Sequence, residues 1–108
     1  MGISLNYFNM VKKMIIKNYN EFEILLENKD VEISNAIVEV ALANVNSTKR
    51  FIPALEIELE EEEEIYDISL DTEDIVGTLE QNLEIQELNE NYETCFFIKE
   101  ALDKLKSK

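Results

Sequence analysis

Carboxylates are the only chemistry-bearing groups this 108-residue sequence supplies in quantity, since it has no His and a single Cys. Sixteen of its 24 acidic residues fall between Phe51 and Ile98, a stretch of 48 residues that holds no Lys and no Arg. Their spacing is short. Glu56, Glu58 and Glu60 alternate, Glu60, Glu61, Glu62, Glu63 and Glu64 run unbroken, and Asp67, Asp71, Glu73 and Asp74 follow. Acid–base work by paired carboxyls needs a deep cleft that raises one pKa. A chain this small, with a net charge of −14, offers little room for one. Without His the usual general base is also missing. The expectation is therefore no enzyme and no catalytic residue. Carboxylates can also hold Ca²⁺ or Mg²⁺, but the EF-hand glycine is absent and alternate strand positions do not preorganise a cage, so no metal and no cofactor are expected.

What remains is ion pairing with a basic partner, set against a run that merely keeps a hairpin tip soluble. Like charges opposite one another on a sheet are destabilising. Two of them at 4 Å repel by about 1 kcal/mol even in bulk water. A stretch that accepts this without Lys or Arg of its own points outward, to another molecule's cations. The same charge disfavours nucleic acid, whose phosphates call for Lys and Arg, and anionic membranes. No signal peptide and no bilayer-length apolar run is expected, and Lys12 and Lys13 interrupt the mildly amphipathic start. Cys95 has no partner for a disulfide and falls on an apolar helical face. It reads as a small core residue in a reducing compartment, hence a cytoplasmic protein, or one in a host cytoplasm if phage-encoded.

The elements that position these groups follow from periodicity. Length favours one domain over 1–108, enough for one modest core. Residues 1–10 are weakly specified and read as a tail. A short strand is expected over Val11–Lys17. A helix follows at about 20–28, capped by Asn18 or Asn20, with Glu23 completing a capping-box spacing. A second helix, capped by Ser34 or Asn35, covers about 35–46. It is apolar on nearly every side, which predicts burial on several sides.

From Lys49 to Glu60 the alternation puts Phe51, Pro53, Leu55, Ile57 and Leu59 on one face and Glu56, Glu58 and Glu60 on the other. A second strand, about 64–70, sets Tyr66, Ile68 and Leu70 against Asp67 and Ser69. The two predict an antiparallel hairpin with the glutamate run at its tip. That tip has no Gly or Asn, so a longer loop or a bulge is expected. Asp71 caps a third helix with Ile75, Val76, Leu79, Leu83 and Leu88 as its stripe. Asn89–Asn91 breaks it, and a last helix over about 92–106 turns Cys95, Ile98, Leu102 and Leu105 inward, joined by Tyr92, Phe97 and Ala101. Phe96 lies off that stripe, either packed on the hairpin or second helix or facing a partner as an anchor.

Leu79, Leu83, the Tyr92-Glu93 pair, Ile98, Leu102 and Leu105 carry a resemblance. The segment Leu79–Leu105 resembles the UVR-type helical hairpin of nucleotide-excision-repair proteins and some protease-associated adaptors. There an aromatic-Glu pair opens the second helix. Cys95 and Phe96 stand where the family has two small residues, and Lys99-Glu100 where it has Arg-Asp. The resemblance implies a helical hairpin over 72–106 that docks on another protein.

These readings combine into an α+β fold in which a small antiparallel sheet, the 50–70 hairpin, packs against two N-terminal helices and the C-terminal helical hairpin. The expected function is a small acidic inhibitor or adaptor that engages a basic, nucleic-acid-handling protein such as a nuclease. Its carboxylates, Glu56, Glu58, Glu60–Glu64, Asp67, Asp71, Glu73 and Asp74, would occupy positions that phosphates otherwise take, with Phe96 as a further contact. Phage anti-defence proteins and nuclease-immunity proteins are analogies in charge and size. The alternative is a structural accessory subunit docking through Phe96 and the C-terminal hairpin.

Overall fold

The structure, a computed structural model, describes residues 11–107. The weakly specified start at 1–10 and Lys108 lie outside the described residues. The fold is α+β: the described residues form a three-stranded sheet, β1 (Lys12–Ile16), β2 (Phe51–Leu59) and β3 (Glu64–Asp71), with four helices, α1 (Tyr19–Glu27), α2 (Val31–Ala43), α3 (Ile75–Leu88) and α4 (Tyr92–Lys106). The strand order is β1-β2-β3. β2 and β3 form the antiparallel hairpin read from the alternation, with Leu59 opposite Glu64 and Phe51 opposite Asp71. β1 adds parallel to β2, so the sheet is mixed rather than purely antiparallel. The two helices between β1 and β2 account for this, because a parallel partner needs a long crossover to return the chain in the same direction.

The register of β2 differs from a plain alternation. Pro53 faces Ser69 and Leu55 faces Ile68, so Ala54 is the extra residue of a bulge. Beyond it Leu55, Ile57 and Leu59 face the core as expected. Before it Ile52 and Ala54 take the core positions, and Phe51 and Pro53 turn out to solvent. One inserted residue flips every side chain on that side of the bulge. The Phe51 ring instead lies under the Arg50 guanidinium, 5.0 Å from it.

α2 begins four residues before the expected start. Asp30, not Ser34 or Asn35, caps it, its carboxylate accepting from the Ile33 N–H at 3.1 Å. Asp30 also ends a left-handed turn after α1, in which Lys29 N–H donates to Leu26 O and Asp30 N–H to Leu25 O. One residue thus closes one helix and opens the next. α2 is buried along Ile33, Ser34, Ala36, Val38, Val40 and Ala41 and divides the interior in two. On one side Ile16, Phe22, Ile33, Leu55, Ile57 and Leu59 pack together. On the other Val38, Ala41, Ile52, Leu70, Leu79, Ile98 and Leu102 do so.

The helical hairpin expected over 72–106 is present as a 3-10 turn (Thr72–Asp74), α3 and α4. Asp71 caps that turn through the Glu73 N–H at 3.0 Å. Cys95, Ile98 and Leu102 face inward as read, but Leu88, Tyr92 and Phe97 do not; all three are exposed. A buried polar network locks the hairpin to α2. The Gln86 side-chain amide donates to Ser34 Oγ at 3.0 Å and Asn35 Oδ1 at 2.9 Å, and accepts from Asn91 at 2.8 Å. Among the described residues no helix is long and apolar enough to cross a membrane.

Candidate functional site

Among the described residues, the four helices pack on one face of the sheet and none covers the other. Parallel and antiparallel register place its side chains in rows. Lys13, Glu56 and Asp67 form one row across the three strands, and Ile15, Glu58 and Ile65 the next. Ile15 and Ile65 are 67% and 58% exposed, so Glu58 stands between two uncovered aliphatic side chains. Beyond that row lies the turn Glu60–Glu63, where Glu63 takes a left-handed φ of 54°. That angle supplies the tight reversal that the missing glycine would normally give.

The turn is not a freely solvated loop. Its backbone continues the β1 pairing, with Glu60 N–H donating to Ile16 O at 3.0 Å and Glu61 N–H to Lys17 O at 2.9 Å. Two carboxylates of the run serve the start of α1. Glu62 accepts from the Tyr19 N–H at 2.9 Å, and Glu61 accepts from the Asn18 side-chain amide at 3.1 Å. Of the two caps that the sequence offered, Asn18 is the one used, accepting from the Glu21 N–H at 2.9 Å; Asn20 lies inside α1, so the capping-box spacing of Asn20 with Glu23 does not form. Negative charge at a helix N-terminus meets the positive end of its dipole.

The expected carboxylates therefore divide. Four meet cations from outside the Lys- and Arg-free stretch. Lys13 lies 3.8 Å from Glu56, Lys17 3.9 Å from Glu61, and Arg50 3.6 Å from Asp71 and 3.4 Å from Glu73. Glu64 accepts from the Tyr66 hydroxyl at 2.8 Å. This bond, with the charge of Glu64 and Glu62, raises the Tyr66 pKa above its ordinary 10.0. The side-chain carboxylates of Glu58, Glu60, Glu63, Asp67 and Asp74 have no cationic or hydrogen-bonding partner among the described residues. Glu58, Glu60 and Glu63 line one shallow depression of about 430 Å³ with Leu59 and Ile65.

The set is not one patch. Asp71, Glu73 and Asp74 lie at the far end of the hairpin from the turn, roughly 25 Å away at 3.3 Å per residue. What comes together is the turn with the open face: Glu58, Glu60, Glu63 and Asp67, edged by Ile15 and Ile65. Those two isoleucines were missed by sequence reading; the alternation that sends Glu58 outward sends Ile65 out with it once the register is known. Phe96 is elsewhere, on the outer side of α4. It is 59% exposed and edge-on to Phe97, with ring centroids 5.6 Å apart. Among the described residues no three His, Cys, Asp or Glu side chains gather as a metal-binding group. Cys95 is buried. Comparison with family models, curated proteins and solved structures finds no match for this chain.

Proposed function

We propose that this chain is a non-catalytic protein-binding module that engages a basic, nucleic-acid-handling partner through the open sheet face and hairpin turn. The carboxylates of Glu58, Glu60, Glu63 and Asp67 take the place of phosphates on the partner's surface. The observation that carries this reading is that these four side chains share one region of the surface and meet no cation among the described residues. The pairs at Glu56 and Glu61 do not remove those residues from the surface. Their lysines are more than half exposed, and such pairs contribute about 0–1 kcal/mol, so a partner's cation can replace them. Ile15 and Ile65 supply the apolar contact that charge alone lacks. A cytoplasmic inhibitor or adaptor, of the kind that phage anti-defence and nuclease-immunity proteins exemplify, fits this chemistry. The test is capture of the partner from lysate at low salt, release at high salt, and repetition with Glu58, Glu60, Glu63 and Asp67 all reversed to Lys. A folded reversal variant should capture nothing; full capture by it would refute the reading.

A second reading has its own observation. Leu88, Tyr92, Phe96 and Phe97 are all exposed on the helical hairpin, and aromatic side chains commonly anchor interfaces. A structural subunit docking there, as the UVR-type resemblance implies, predicts salt-resistant retention that Phe96→Ala abolishes.

A further inference from the structure

β3 is an outer strand of the sheet, eight residues long, and among the described residues its second edge is unpaired. Its backbone makes no backbone–backbone bond outside the β2 ladder among the described residues. Edge strands are normally guarded by Lys, Pro, a bulge, brevity or covering chain. β3 has no Lys and no Pro, and the hairpin's bulge lies on β2. The opposite edge differs: β1 has five residues and carries Lys12 and Lys13, with Lys17 just beyond. What guards β3 is negative charge, from Glu64, Asp67 and Asp71, with Glu56 and Glu58 on the neighbouring strand. Such a guard is selective. It repels another acidic strand and admits a basic one.

We propose that β3 is an acceptor edge, to which an extended, basic segment of the partner protein adds as a fourth strand. This rests on the function proposed above and states how that partner is held. The two faces of β3 set the pattern of the segment. On the open face it meets Ile65, Asp67 and Ser69, with Glu58 and Glu56 behind them, so Lys or Arg belongs on that side. On the helix side it meets Tyr66, Ile68 and Leu70, which grade from exposed to buried, so aliphatic residues belong there. The segment thus alternates basic and aliphatic residues. Main-chain bonds to β3 give affinity, and the alternating side chains give specificity. A second copy presenting β1 is the competing occupant, and a net charge of −14 on each copy opposes it.

The probe is an end-blocked eight-residue peptide that alternates Lys with Val, in three forms. One is unmodified, and each of the others is N-methylated on one of the two alternate sets of residues. A strand on an edge uses the N–H groups of one set only. Strand addition predicts that one methylated form binds the full chain about tenfold or more weakly than the parent, while the other stays within about twofold. It also predicts slowed hydrogen exchange at alternate β3 amides. Equal binding by all three forms, weakening alike with salt, overturns strand addition and leaves the charged-surface reading standing. Unchanged parent binding by the Glu58, Glu60, Glu63, Asp67 to Lys variant would instead strike that surface reading. No binding by any form overturns strand addition, as does concentration-dependent self-assembly of the chain that blocks the peptide.

Discussion

Glu61 and Glu62 sit in the middle of the glutamate run, yet their carboxylates are turned to the chain's own α1. Glu62→Ala should cost about 0.5–1 kcal/mol by removing a helix-capping acceptor. Glu60→Ala should change stability by less than about 0.5 kcal/mol. Urea unfolding of both variants checks this. Two backbone positions give a paired expectation. Glu90 ends α3 with φ at 58°, its N–H donating to Glu87 O and the next to Gln86 O. Glu90→Gly should stabilise by about 0.5–1 kcal/mol, because a side chain at that angle is strained. Gly77 lies inside α3 with nothing within 4 Å of an added Cβ, so Gly77→Ala should also stabilise, by about 1 kcal/mol. At Tyr66 the hydrogen bond to Glu64 favours the neutral phenol, so the folded pKa lies above 10.0. The stability this lends is present below pH 10 and is lost as pH rises through the folded value. Following the Tyr66 ring by NMR, Glu64→Gln should bring its ionisation back toward the ordinary pH.

Elements with a clean period were legible in the sequence. The hairpin, the buried α2 and the α3–α4 pair follow from apolar spacing, and Asn18 and Asp71 from capping chemistry. What was not legible depends on distant partners. Alternation across Phe51–Leu59 fits two phases, and only the pairing with β3 places the bulge at Ala54. The consequence is testable: Ile52→Ala should cost about 2–4 kcal/mol, as a buried truncation does, while Phe51→Ala should cost about 1 kcal/mol or less. The reverse ranking would mean that the strand holds the other phase. The parallel seat of β1 was equally hidden, since a lone apolar run does not name its neighbour. That seat brings Lys13 and Lys17 to Glu56 and Glu61, so an acidic stretch without internal cations is nevertheless partly paired. The same pairing sorts the candidate site, leaving Glu58, Glu60, Glu63 and Asp67 as carboxylates on one surface that find no partner among the described residues.

Across the whole molecule, a charge of −14 sets stability and association against each other. Salt shortens the range of repulsion among the chain's own carboxylates and equally screens their attraction to a basic surface. Raising ionic strength from about 10 mM to about 0.5 M should therefore raise the thermal midpoint of the free chain while weakening the proposed complex. The helical hairpin offers a different surface, with Leu88, Tyr92, Phe96 and Phe97 exposed on it, and binding through those side chains would respond little to salt. The most direct discriminating measurement is the affinity of the captured partner, at low and high salt, for the native chain and for the Glu58, Glu60, Glu63, Asp67 to Lys variant. The account predicts steeply salt-dependent binding by the native chain and none by the folded variant. Equal affinity for both, indifferent to salt, would contradict it.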